Sequence, residues 1–161
     1  VELLIDVFTS LKSLDFDLKI VGPENDHALE LMDKVKQLKD SRIQFLGAVR
    51  GADKQHLYRN AHAFIAPSYS EVVGMVNLEA AMMATPVITT HQTGLLSDWN
   101  KNGGKLIDPN FKQLEAAILE CSNWTKSERD SKGQRLREFV IQEYSWKVNR
   151  PKWEALYNSM K

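Results

Sequence analysis

The sequence has one cysteine, Cys121, in 161 residues, so no disulfide can form within the chain. A lone thiol suits a reducing, cytoplasmic compartment. There is no excess of charge: 21 basic side chains balance 21 acidic ones, which removes the bulk electrostatic case for nucleic acid or for an anionic membrane. No apolar run approaches the roughly 20 residues of a membrane span, and no charged-then-apolar leader opens the chain. The four histidines, His27, His56, His62 and His91, do not fall at metal-ligand spacing, so no metal is expected. Repeats, low-complexity tracts and obvious linkers are missing too. What remains is a length sufficient for a core without staples, since a domain of this size buries about 68–70% of its unfolded surface.

Five short apolar runs rich in β-branched or aromatic residues are present: Leu18–Gly22, Ile43–Gly47, Ala63–Ser68, Pro86–Thr90 and Gly104–Asp108. Three are nearly continuously apolar, the pattern of strands covered on both faces. Helical patterns fill the gaps. Ala28, Leu31, Met32, Val35 and Leu38 follow the first run, with Asn25 or Asp26 as cap. Leu57, Tyr58 and Ala61 precede the third run, Leu78, Ala81 and Met82 follow it, and Leu114, Ile118 and Cys121 come after the fifth. Alternating strands and helices predict an α/β fold: a Rossmann-like parallel sheet flanked by helices. The opening stretch sets Val1, Ile5, Phe8 and Leu11 on one helical face, and a helix in that position implies a strand before it, without which it lacks a sheet partner. From about residue 124 the pattern is helical only, which divides the chain into an α/β core over 1–123 and C-terminal helices over 124–161. Thr125 and Glu128 form a capping box there, and Pro151 predicts a kink or a restart capped by Asn149.

The segment Pro67–Thr90 carries the chemistry. A strand ends at Pro67-Ser68, a loop of small and polar residues follows, and Gly74 precedes a helix that ends near Ala84. In a parallel sheet this loop lies at the carboxyl end of its strand, where open α/β sheets bind ligands. Gly74 permits close backbone approach. The N–H groups of Met75, Val76 and Asn77 are expected to be unpaired at the helix start, a site for phosphate. Glu71 and Glu79 frame that start and suit the vicinal hydroxyls of a sugar or ribose. Phosphate between hydroxyls describes a nucleotide-sugar. His91, after the fourth run, lies where it could reach such a ligand.

These residues resemble the donor-binding half of the GT-B glycosyltransferases, most closely the retaining family 4, the glycosyl transferases group 1. Its hallmark is two Glu separated by seven residues within P-S-x-x-E-G-F-G-x-x-x-L-E-A-x-A-x-G-T-P-V-I. Pro67, Ser68, Glu71, Gly74, Leu78, Glu79, Ala80, Thr85, Pro86, Val87 and Ile88 stand at matching places. Phe45-Leu46-Gly47, Asn102 to Ile107 with Pro109, and Tyr144-Ser145-Trp146 extend the match over nearly the whole chain. Val72 and Val73 depart from the Gly-Phe of the pattern, Ala84 from its helix-ending Gly, and Asp98 from a usual Glu. The resemblance implies that Glu79 holds the ribose hydroxyls and Glu71 the transferred sugar, as the catalytic residue. It implies a nucleotide-diphosphate sugar as donor substrate with no cofactor, and Arg50 near the base. A partner N-terminal acceptor domain would carry the Arg and Lys that neutralise the diphosphate, and the whole enzyme would be cytoplasmic, with room for association with the cytoplasmic membrane face. A nucleotide-sugar epimerase half and a non-catalytic α/β interaction module are the competing readings. Trp146, Trp153 and Tyr157 are open to two readings, an interdomain surface or a core stripe, and the alternating charges from Lys126 to Arg137 read as a solvated helix face.

Overall fold

The computed structural model describes residues 1–160; Lys161, the last of the expected C-terminal helical residues, lies outside them. Five strands, β1 (Leu18–Ile20), β2 (Ile43–Phe45), β3 (Phe64–Ala66), β4 (Val87–Thr90) and β5 (Lys105–Ile107), each fall inside one expected run. They are shorter than the runs, although backbone bonds continue just past them, from the Gly22 N–H to the Gly47 carbonyl at 3.0 Å and from the Phe64 N–H to the Pro86 carbonyl at 2.9 Å. Helices α1 (Glu2–Ser10), α2 (Asp26–Leu38), α3 (Gly51–Asn60), α4 (Met75–Met82), α5 (Phe111–Ser122), α6 (Lys126–Tyr144) and α7 (Trp146–Ser159) complete the fold. Of the two candidate caps for α2, Asn25 takes the role: its side chain accepts from the Ala28 N–H at 2.8 Å. The Thr125–Glu128 capping box starts α6 as the spacing predicts.

All strand pairs are parallel, with Leu18 opposite Ile43, Phe64 opposite Val87 and Ile88 opposite Lys105. The sheet is not one continuous ladder, however. Among the described residues β1 pairs with β2, and β3, β4 and β5 pair in that order, but no ladder joins β1 to β3. Strands β1 and β3 are accordingly half exposed, whereas all four residues of β4 are buried.

Helix α1 bridges the interruption. Its Leu4 and Val7 pack with Ile88, Ile107, Leu114, Ala117, Ile118 and Cys121. Its Ile5 and Phe8 pack with Leu31, Val35 and Ile43 beside β1 and β2. The expectation that the first helix lacks a sheet partner is therefore corrected: adjacent residues point to different ladders, so one short helix is shared by both. Val1, assigned to its apolar face, is exposed. On the other face of the sheet, Leu78, Ala80 and Ala81 of α4 and Leu136, Phe139 and Val140 of α6 enclose Val87, Leu106 and the fully buried Trp99. Successive strand residues (Val87 and Ile88, Leu106 and Ile107) thus feed opposite helix layers.

The C-terminal turn differs from the sequence reading. The chain breaks at Ser145, extended at ψ 148°, and not at Pro151, which lies inside α7. Asn149 does not cap a restart; its Nδ2 donates to the carbonyls of Glu143 and Ser145 at 2.8 and 3.1 Å and closes the α6–α7 corner. Helix α7 buries none of its residues, so Trp146, Trp153 and Tyr157 are exposed and the core-stripe reading fails. Nor is the charged stretch wholly solvated: Arg129 donates to the carbonyls of Arg59 and Ala61 and anchors α6 to the end of α3. None of the described helices is long and apolar enough to cross a membrane.

Candidate functional site

Two loops at the carboxyl ends of β3 and β4 are fastened together. The Glu71 N–H donates to the Gln92 carbonyl at 3.0 Å and the Gly74 N–H to the Thr93 carbonyl at 3.2 Å. The Thr90 hydroxyl donates to the Ser68 carbonyl, and the Thr89 hydroxyl to the Ala66 carbonyl at 2.8 Å. Gly94, left-handed at φ +66°, lets the Val72 carbonyl come close; a Cβ there would lie 2.1 Å from that oxygen. The loop from Ser68 to Gly74 is thereby a fixed platform, despite the exposure of Glu71 and Val72 on it.

Helix α4 begins at Met75, so Glu71 is a loop residue and Glu79 a helical one, as the eight-residue separation requires. The helix start is less open than the sequence suggests. The Met75 N–H donates to the Val73 carbonyl at 2.8 Å and the Asn77 N–H to the Gly74 carbonyl at 2.9 Å. Of the three expected donors only Val76 has no backbone partner among the described residues. Tight turns at a helix terminus satisfy such groups locally, which is why a count of orphan donors from sequence overshoots. Gly74 also has a different role from the expected one. Its φ is −71°, available to any residue, but a Cβ would stand 2.3 Å from Asn77 Nδ2. It makes room for the Asn77 side chain, which is 1% exposed and whose Oδ1 is buried without a hydrogen-bond partner.

Glu79 is not a free carboxylate. Lys54 Nζ donates to both of its oxygens at 3.0 and 2.9 Å, and the Tyr58 hydroxyl to one of them at 3.4 Å. Lys54 and Tyr58 are four residues apart on α3 and share the face turned to α4. The Tyr58 phenol is pushed up to about 12, first by burial and then by the negative charge of Glu79. Sequence reasoning had placed Tyr58 on a helical face and passed over Lys54. The signal lay in their spacing, but only the packing of α3 on α4 gives it a target. The carboxylate offers about four lone-pair positions. Three are in use, so a diol bound there shares them with Lys54 or displaces it.

Arg50 stands at the N-cap position of α3 without a side-chain capping bond and is exposed, with no carboxylate within 4 Å among the described residues. It precedes Lys54 by one turn, on the same edge of the sheet. His91 opens the short turn after β4 and is exposed, without a recorded partner among the described residues. The structure thus gathers Lys54, Tyr58 and Glu79 along the α3–α4 seam, with Arg50 one turn before Lys54, and Glu71, Gly74, Val76 and His91 around the two fastened loops.

The profile of the family described as Glycosyl transferases group 1 matches residues 1–123. The chain belongs to that family. The glycosyltransferase of Staphylococcus aureus named for capsular polysaccharide biosynthesis, CapM, is 26% identical over 162 residues, covering 97% of this chain and 42% of its own length. Among solved structures, a glycosyltransferase from Rickettsia africae superposes with a TM-score of 0.85 at 23% identity, over 98% of this chain and 43% of that one. HepE of Anabaena, solved with UDP and glucose, gives 0.80 at 21% identity, over 98% and 44%. The chain therefore spans less than half the length of these relatives. As a group 1 glycosyltransferase chain it has the expected α/β fold, a Rossmann-like half of GT-B with C-terminal helices.

Proposed function

We propose that this chain is the donor-binding half of a retaining glycosyltransferase, taking a nucleotide-diphosphate sugar at the carboxyl ends of β2, β3 and β4. The observation that carries the reading is Glu79 on α4, one turn into that helix and held by Lys54 of α3. Glu79 receives the ribose hydroxyls, sharing its oxygens with Lys54. The Val76 N–H and the positive end of α4 face the diphosphate, and Arg50 stands toward the base. Glu71, held beside Ser68 on the fixed loop, faces the transferred sugar, with His91 at the rim. In transfer, the bond between the anomeric carbon and the diphosphate oxygen breaks while one to an acceptor oxygen forms. The leaving diphosphate carries the electron pair away and the acceptor gives up its proton. Donors fixed before reaction stabilise that developing charge without reorganising.

The partner in this reading is an N-terminal acceptor domain supplying further cations. The exposed Trp146, Trp153, Leu156 and Tyr157 of α7 support it, and among the described residues the inner edges of β1 and β3 have no strand partner. A right-handed crossover from a preceding strand through α1 would place that strand beside β1, in the interruption. A cytoplasmic location is supported by the single buried thiol. Calorimetric titration of the folded chain with UDP, GDP, ADP and their glucose and mannose conjugates tests the reading. Binding of one nucleotide series is expected; no heat from any of them overturns it and favours a non-catalytic module.

A further inference from the structure

At the opposite edge of the sheet, the turn into β5 and the α5–α6 junction enclose a cleft of about 340 Å³. It lies at the amino end of β5, away from the loops that follow β3 and β4. Four cations line it, Lys101, Lys105, Lys132 and Arg135, against a single carboxylate, Glu120. In a chain whose charges cancel overall, this is a local concentration. Two of the cations are matched: Lys101 by Asp98 at 2.7 Å, and Lys105 by Glu120. Lys132 and Arg135 have no carboxylate within 4 Å among the described residues.

Those two stand three residues apart on α6 and so share a face. Lys132 is half buried, with its ammonium 4.8 Å from the centre of the Trp124 ring, a cation–π contact that restrains it at the mouth. The facing wall is fixed as well. Gly103, at φ +92°, brings the β5 turn so close to α6 that a Cβ would lie 2.2 Å from the Lys132 carbonyl. A solvated helix face disperses its cations. Here a rigid turn and an indole converge them on a concavity where two cations lack a direct ion-pair partner among the described residues, the nearest help being the charge of Glu128 one turn from Lys132.

From this we infer that the cleft binds a phosphate monoester, whose charge of about −1.5 to −2 at neutral pH matches the two free cations. The volume exceeds what phosphate alone needs and leaves room for the group it esterifies. The ligand is either a free phosphorylated small molecule or a phosphate-bearing lipid headgroup. Neither depends on the donor reading, because no lining residue belongs to the α3–α4 seam.

Glucose 6-phosphate and inorganic phosphate, titrated into the chain by calorimetry, and flotation with vesicles containing phosphatidic acid separate the two sources. Arg135 is exposed and its side chain makes no hydrogen bond or ion pair among the described residues, so Arg135→Gln is expected to fold intact; Lys132→Gln is the second variant. Each should weaken the binding at least tenfold, and 0.5 M salt should do the same, while Glu79→Gln leaves it unchanged. Soluble-ester binding that meets these conditions assigns a metabolite site. Vesicle binding alone, with the same dependence on Arg135 and Lys132, assigns the headgroup. Failure of every probe to bind, or binding that neither variant weakens, overturns the inference.

Discussion

Lys54 Nζ bridges both carboxylate oxygens of Glu79, at 3.0 and 2.9 Å, so the chain supplies its own cation to the acid on which the donor reading depends. Both side chains are partly exposed, 36% and 40%, and an exposed pair of this kind is worth about 0–1 kcal/mol. Glu79→Gln should therefore leave the melting temperature nearly unchanged while weakening nucleoside diphosphate binding at least tenfold. A large fall in melting temperature would make Glu79 structural instead. Spectrophotometric titration adds a second readout. The Tyr58 phenol, at about 12, should fall in Glu79→Gln but stay above its ordinary 10.0, because burial is the larger cause and the mutation leaves burial in place.

Ala84 occupies the left-handed region at φ +55°, where a side chain costs roughly 1–2 kcal/mol. Ala84→Gly relieves that strain and adds unfolded-state entropy of about 0.5–1 kcal/mol. The net expectation is a gain of up to about 1 kcal/mol in urea denaturation. Gly133, on α6, has its Cα against the Ala84 carbonyl, and a Cβ would lie 1.9 Å from that oxygen. Gly133→Ala should cost at least about 1–3 kcal/mol, since backbone must move. Equal stability of Gly133→Ala and the parent chain would contradict this packing.

Asp40 and Arg42 join the start of β2 to the end of α1. The guanidinium meets the Asp40 carboxylate at 2.6 Å, donates to the carbonyls of Leu11 and Leu14, and lies 4.8 Å from the centre of the Phe8 ring. The hydrogen bond from Arg42 holds the Asp40 carboxyl below its ordinary 3.8. The unfolded chain then binds the proton more readily, so this stabilisation is present above about pH 4 and is lost as pH falls through the lowered value. Asp40→Asn should cost about 1–3 kcal/mol at pH 7 and converge with the parent in acid, as followed by urea midpoints from pH 7 to pH 3.

Cys121 is buried against α1 and β5, and burial pushes its thiol up to about 12. The thiolate is the reactive form. Iodoacetamide at pH 8 should leave Cys121 unmodified in the folded chain and alkylate it in denaturant, as read by mass spectrometry. Rapid native modification would mean that α5 opens readily.

The sequence by itself determined the alternation of strands and helices, the capping box at Thr125, and the membership of Glu71, Gly74 and Glu79 in one strand–loop–helix unit, while it left the cap of α2 open between Asn25 and Asp26. These are local properties: apolar periodicity and side-chain-to-backbone capping act within a few residues. It misjudged features in which local groups compete. The N–H groups of Met75 and Asn77 close tight turns of their own, and the Asn149 side chain serves the carbonyls left open at the Ser145 corner, one turn before it, where the two helices meet. Only the tertiary structure decided that Lys54 meets Glu79, that α1 spans both ladders, and that Lys132 and Arg135 face a cleft with Lys101 and Lys105. Each of these depends on how one helix is rotated and set against another. That geometry is fixed by long-range packing of residues such as Trp99, Leu136 and Ile88, which no single stretch of the sequence records.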